Sequence, residues 1–337
     1  MARQHAASVL AAALFVGVLA SIPTEVQSIG VCYGVNGDVM PLASEVVQLY
    51  LDKGITGMRI YSPDTKALQA LSGSKINLIM DVGNDQLSNL ASGPDAATSW
   101  VNDNVLAYPN VNIQYIAVGN EVNGSLPEAL YILPAMKYMN AALSTAGLNS
   151  IRVSTAVQSG VTTGYPPSHG TFSDLSSHMP PIAQYLASTG APLLANIYPY
   201  FAYTRSTEIQ LDYALFKAQG MVVQDNGNQY QNLFDAMVDT FYYALESAGA
   251  GSVGIVVSES GWPSYGSVAA TLDNAGTYVQ NLVKHVSKGT PKMPQPLETY
   301  IFAMFNENLK PGAETEKHFG LFNPNMLAVY PIDFTEN

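Results

Sequence analysis

The chain has 337 residues, 47% of them hydrophobic and only 12% charged, with a formal net charge of −12. So acidic a chain lacks the clustered Lys and Arg that phosphate contacts need, which argues against a nucleic-acid binder. Cys32 is the only cysteine, which excludes an intrachain disulfide, and the five histidines have no HExxH or similar spacing, so no catalytic metal and no cofactor is expected.

Residues 1–28 read as a secretory signal peptide. Arg3 and His5 form a short polar start, Ala6 to Ala20 an apolar core, and Val26 and Ser28 suit a cleavage site. The apolar core is too short to span a bilayer, so the mature form is expected without a membrane segment. A cut after Ser28 leaves residues 29–337, expected to form one catalytic domain. The last residues, Asp333 to Asn337, carry no lipid-anchor signal or obvious sorting extension, which points to an extracellular, apoplastic location with a vacuole as the alternative. A monomer is expected.

From residue 29 onward, strand-like runs alternate with helical patterns. The strand candidates are 29–34, 57–61, 77–83, 113–121, 152–157, 192–200, 254–260 and 298–306. Most read as continuous apolar runs, the pattern of parallel strands buried on both faces. Helix-like stretches lie at 41–53, 126–146, 230–248 and 273–287; in the third, Leu233, Met237, Phe241 and Leu245 recur at every fourth position. Eight such units predict a (β/α)8 barrel over a doubly wound sheet, and no GxGxxG or phosphate-binding loop follows the first strand. The long polar connection 201–229 is expected to form a small subdomain after the sixth strand. The loop 158–173 is expected to shape a cleft.

Two glutamates close apolar strand candidates: Glu121 in IQYIAVGNE and Glu259 in GIVVSESG. In a parallel barrel, residues at the C-terminal strand ends face the active site. Two carboxylates there suffice to hydrolyse a glycosidic bond, one as acid and one as nucleophile or base. A glutamate acting as acid must stay protonated, which apolar or like-charged surroundings favour. The hydroxyls of Ser258 and Ser260 flank Glu259 and are expected to stabilise its ionised form. Sugars pack their C–H faces on aromatic rings. Tyr33, Tyr61, Tyr198 and Trp262 at strand ends, with Phe172 and Phe319 on loops, are therefore the stacking candidates, and Tyr61, Tyr198 and Phe172 lead them.

The segments VGNEV (118–122), VVSESGWP (256–263), ETYIFAMFNENLK (298–310) and EKHFGLFNP (316–324), with IGVCYG and GMRIYSPD (57–64), resemble plant glucan endo-1,3-β-glucosidases of glycoside hydrolase family 17. The resemblance spans essentially the whole chain after residue 28. It implies a (β/α)8 fold and retaining hydrolysis of β-1,3-glucan, with Glu121 as acid/base and Glu259 as nucleophile. It also implies that Asn120 hydrogen-bonds the sugar 2-hydroxyl, and that Glu307, Lys310 and Glu316 form a polar cluster near the nucleophile. In that cluster Lys310 is expected to balance Glu307. The partner is thus a polysaccharide. Alternatives are a β-1,3;1,4-glucanase, a transglycosylase, and a non-catalytic glucan-binding or allergen-like protein on the same fold. Asn123-Gly124-Ser125 is an N-glycosylation sequon two residues past Glu121, expected to be empty or to direct its glycan away from the substrate.

Overall fold

The computed structural model describes residues 29–335, so the expected signal peptide lies outside the described residues. Eight strands form a closed parallel barrel: β1 (Ile29–Cys32), β2 (Gly57–Ile60), β3 (Asn77–Val82), β4 (Ile113–Asn120), β5 (Arg152–Gln158), β6 (Leu193–Asn196), β7 (Ile255–Ser260) and β8 (Thr299–Ile301). Each strand pairs with its neighbours in chain order, and β8 closes on β1 through Ile29↔Thr299 to Val31↔Ile301. Burial on both faces explains the composition: every residue of β1, β2, β6, β7 and β8 is buried.

The helices start where the sequence supplies caps. Asp64 accepts from the Ala67 N–H (2.7 Å) to open the helix Thr65–Leu71, and Asn232 accepts from the Asp235 N–H (2.8 Å) to open Leu233–Ser247. The latter buries Phe234, Val238, Phe241 and Leu245 in the core, whereas Met237 is only partly buried and reaches the cleft. Strand candidates run long at their C-terminal ends, 29–34 by two residues and two others by more. The run 192–200 stops at Asn196 because Pro199 begins a helix, Pro199–Arg205, with its fixed φ and missing N–H. The run 298–306 leaves regular strand at Ile301, although Met304 still donates to the Cys32 carbonyl (2.8 Å).

The connection after β6 holds that helix, a short helix Leu211–Ala214 and a hairpin pairing Val223–Asp225 with Asn228–Tyr230. The loop after β5 makes its own hairpin, Thr162–Thr163 with Thr171–Phe172. Asp225 accepts from both the N–H and the hydroxyl of Ser168, each at 2.6 Å, and so ties the two connections together. No helix among the described residues is long and apolar enough to cross a membrane.

Candidate active site

The C-terminal ends of the strands enclose a cleft of about 860 Å³. Both glutamates enter it next to irregularities in the ladder. The β4–β5 register shifts between Ala117 and Asn120, just before Glu121, and the β7–β6 register shifts between Val257 and Glu259. Such bulges turn a side chain away from the direction that strict alternation would give it.

Glu259 is 6% exposed, and its carboxylate is met by three donors. Arg59 Nη1 (2.9 Å) and the Tyr61 hydroxyl (2.8 Å) reach Oε1, and the Tyr198 hydroxyl (2.6 Å) reaches Oε2. Arg59 is itself fully buried and pairs with Asp81 through Nε–Oδ1 (3.1 Å) and Nη2–Oδ2 (2.7 Å). Burial pushes the Asp81 carboxyl up to about 6, against the pull of Arg59. A charge in the barrel floor is tolerable only with a partner of this kind. The flanking serines act otherwise than expected: Ser258 donates to Asn196 Oδ1 (2.8 Å) and Ser260 bonds the Tyr278 hydroxyl (2.6 Å). Ser258 thus meets Glu259 only indirectly, through Asn196, whose Oδ1 shares Arg59 Nη1 with the carboxylate.

Glu121 opens onto the cleft, yet protein atoms around its carboxyl remove part of its hydration and raise its pKa. The nearby Glu259 charge raises it further, while Asn196 Nδ2, donating to Oε1 at 2.9 Å, pulls it back. Asn196 is a hub with every amide position used. Its Oδ1 accepts from Arg59 (3.1 Å) and Ser258, and its Nδ2 also donates to Asn120 Oδ1 (3.0 Å). Arg59 Nη2 donates to the same Asn120 oxygen (3.0 Å). With Oδ1 so occupied, the Asn120 amide can offer only its N–H groups to a ligand.

Of the stacking candidates, Tyr33, Tyr61, Tyr198 and Phe319 line the cleft, whereas Trp262 and Phe172 do not. Trp262 is fully buried, with its indole N–H on the Ala269 carbonyl (2.8 Å) and its ring against Tyr200 and Tyr278; it is a wall residue. Phe172 packs on the core from the hairpin after β5. Tyr33 and Phe319 show only 6% and 3% of their surface, and Tyr61 and Tyr198 turn their hydroxyls to Glu259. Phe201, half-buried beside Tyr198 and Phe319, is a further aromatic residue of the cleft, partly open like Tyr61 and Tyr198.

Glu307, Lys310 and Glu316 also reach the cleft, but the ion pair of Lys310 is with Glu316 (3.7 Å) rather than Glu307, and its ammonium lies 3.9 Å from the Phe302 ring centroid. Glu307 is buried and accepts from the Asn36 N–H (2.8 Å); a side chain at Gly34 would overlap its carboxyl, which explains the glycine. Asn123 is exposed, accepts from the Ser125 N–H (3.0 Å), and is not among the residues lining the cleft. Cys32 is buried and free, its thiol pushed up by burial, consistent with an inert packing residue.

Residues 29–334 match the family described as "Glycosyl hydrolases family 17". The chain belongs to that family. The acidic isoform of glucan endo-1,3-beta-glucosidase from Zea mays is 62% identical over 339 residues, covering 99% of this chain and 100% of the relative. Lichenase-2 of Hordeum vulgare is 50% identical, covering 93% and 100%. Among solved structures, CJP38, a beta-1,3-glucanase and allergen of Cryptomeria japonica pollen, superposes with a TM-score of 0.89 at 48% identity, covering 92% of this chain and 100% of that one.

In this family 17 chain the groups that sequence reasoning missed are Arg59, Asp81, Asn196 and Phe201. A signal for the first two existed. GMRI and NLIMDV are apolar strands on neighbouring barrel positions, and each carries one charge of opposite sign. Charges inside doubly buried strands have to find each other. Asn196 and Phe201 carry no comparable mark.

Proposed function

We propose that this chain hydrolyses internal β-1,3-glucosidic bonds of glucans such as callose, fungal wall glucan and laminarin, with net retention at the anomeric carbon. The observation that carries this reading is the unequal setting of the two carboxylates. Glu259 is gripped by a guanidinium and two phenols, while Glu121 sits open to the cleft with a raised pKa. Protonated Glu121 gives its proton to the glycosidic oxygen as a Glu259 oxygen attacks C1, and the aglycone sugar departs. Glu121, now a carboxylate, takes a proton from water, which attacks C1 and releases Glu259. The three donors hold the Glu259 charge before attack and stabilise it again as a leaving group. The Asn120 N–H groups, aimed by Arg59 and Asn196, suit the 2-hydroxyl of the sugar at the cleavage point, where such bonds strengthen in the transition state. One chain supplies every group, in keeping with a monomer. Secretion to the apoplast is part of the proposal and rests on residues 1–28.

The test is reducing-sugar release from laminarin, with lichenan in parallel, by the wild type, Glu259→Gln and Glu121→Gln, with the anomer followed by proton NMR. Loss of laminarin cleavage in both variants and a β product first from the wild type are expected. Preference of the wild type for lichenan would overturn the linkage assignment, and an α product first would overturn the roles.

A further inference from the structure

The β3–β4 ladder ends at Val82↔Val118, yet the backbone of Asn120 is still paired on its β3 side. Its partner is a side chain. Asn84, the first residue of the short turn Asn84–Gln86, accepts from the Asn120 N–H through Oδ1 (2.8 Å) and donates to the Asn120 carbonyl through Nδ2 (2.8 Å). A carboxamide has the same donor–acceptor pair as a peptide group, so Asn84 continues the ladder where β3 has left it. The residues on either side of Asn120 are both left-handed: Gly119 at φ 83° and Glu121 at φ 51°. Glycine tolerates that region, and a glutamate there is strained unless its surroundings hold it. On the other side the β5 ladder pairs Asn120 with Ala156, and the Glu121 N–H donates to the Ala156 carbonyl (2.9 Å).

We propose that Asn84 is a positioning residue for the acid/base group: by pinning the Asn120 peptide it keeps Glu121 in its left-handed conformation and its carboxyl over the scissile bond. The inference rests on the acid/base reading of Glu121. Asn84 touches neither carboxylate and is not among the cleft-lining residues, so its effect passes through the backbone alone.

Asn84→Ala is compared with wild type and with Glu121→Ala on two aryl β-laminaribiosides, one releasing 2,4-dinitrophenolate and the other 4-methylumbelliferone. The first leaving group needs no proton and the second does. For Asn84→Ala, kcat/KM is expected to fall about tenfold to a hundredfold on the second substrate, the cost of a misplaced acid, and less than about twofold on the first. Azide, a nucleophile that needs no general base, should raise turnover of the activated substrate in Glu121→Ala. Asn84→Asp keeps the acceptor and loses the donor; it should show the same leaving-group dependence and serves if the alanine variant fails to fold. An equal fall on both substrates, or no fall on either, overturns the positioning role while leaving Glu121 assigned. If Glu121→Ala itself shows no leaving-group dependence, the acid/base reading fails, and the role of Asn84 with it.

Discussion

Arg59 reaches Asp81, Glu259, Asn120 and Asn196 from a fully buried position, so one side chain links the barrel floor to both halves of the site. Replacing it by methionine leaves Asp81 buried without its counter-charge, which costs about 3–5 kcal/mol. Urea unfolding should show that loss, and laminarin activity should vanish even where the variant is still folded; a variant as stable as wild type would refute the account. Glu121 gives a pH prediction. Its raised pKa keeps it protonated to higher pH than an ordinary glutamate, and activity falls as pH rises through that value, so the alkaline limb of kcat/KM belongs to it. In Glu259→Gln the neighbouring charge is gone, and a carbon-13 NMR titration should find the Glu121 pKa lower than in the wild type. An unchanged or higher value would mean that the two carboxylates do not sense each other.

Among the elements, the connections after β5 and β6 shape the cleft while the strands supply its chemistry. Ser159 and Gly160, just past Gln158 at the end of β5, line it from one connection and Phe201, Ala202 and Arg205 from the other. Their tie is Asp225 on Ser168, at two bonds of 2.6 Å. Asp225→Ala releases the hairpin Val223–Tyr230 from the loop without touching either glutamate. Limited proteolysis should then cut within 158–173 faster, and KM for laminarin should rise severalfold with kcat little changed. A kcat loss without a change in cutting would place the effect elsewhere. The periodicity of the helix Leu233–Ser247 was legible, but its apolar face is broader than one stripe, and Asp235 and Asp239 are buried on it as well.

At the scale of the molecule, acidity and burial act in one direction. Burial pushes Asp239 up to about 6, against the bonds it accepts from Thr290 and the Lys292 N–H, and Asp81 stands at about 6 as well. Each folded value exceeds the value near 4 of an unfolded aspartate. The folded state therefore binds more protons between about pH 4 and pH 6, and the stability from these groups is fully present below that window and lost as pH rises through it. The net charge of −12 adds self-repulsion as carboxylates ionise. Thermal melting should thus move to lower temperature from pH 4.5 to pH 7. Asp239→Asn should flatten that slope; a slope unchanged in the variant would remove Asp239 from the account.

What the sequence by itself determined is the repeating frame and the pair of glutamates. Doubly buried parallel strands are apolar along most of their length, so the barrel strands announce themselves, and a carboxylate closing such a run stands out. Boundaries were missed at Pro199, although a local rule marks a helix start there, and at 302–306, where the chain leaves regular strand pairing. Tertiary structure alone decided which groups serve the carboxylates. Ser258 and Ser260 are next to Glu259 in sequence but bond Asn196 and Tyr278 instead, while Arg59 on β2 and Tyr61 and Tyr198, just past the ends of β2 and β6, reach its carboxylate. The same holds for the aromatic rings: barrel closure turned Trp262 inward and left Phe201 at the cleft, a choice set by packing between segments distant in the chain. Local pattern reports which face of an element is apolar; it carries no record of which distant atoms will meet there.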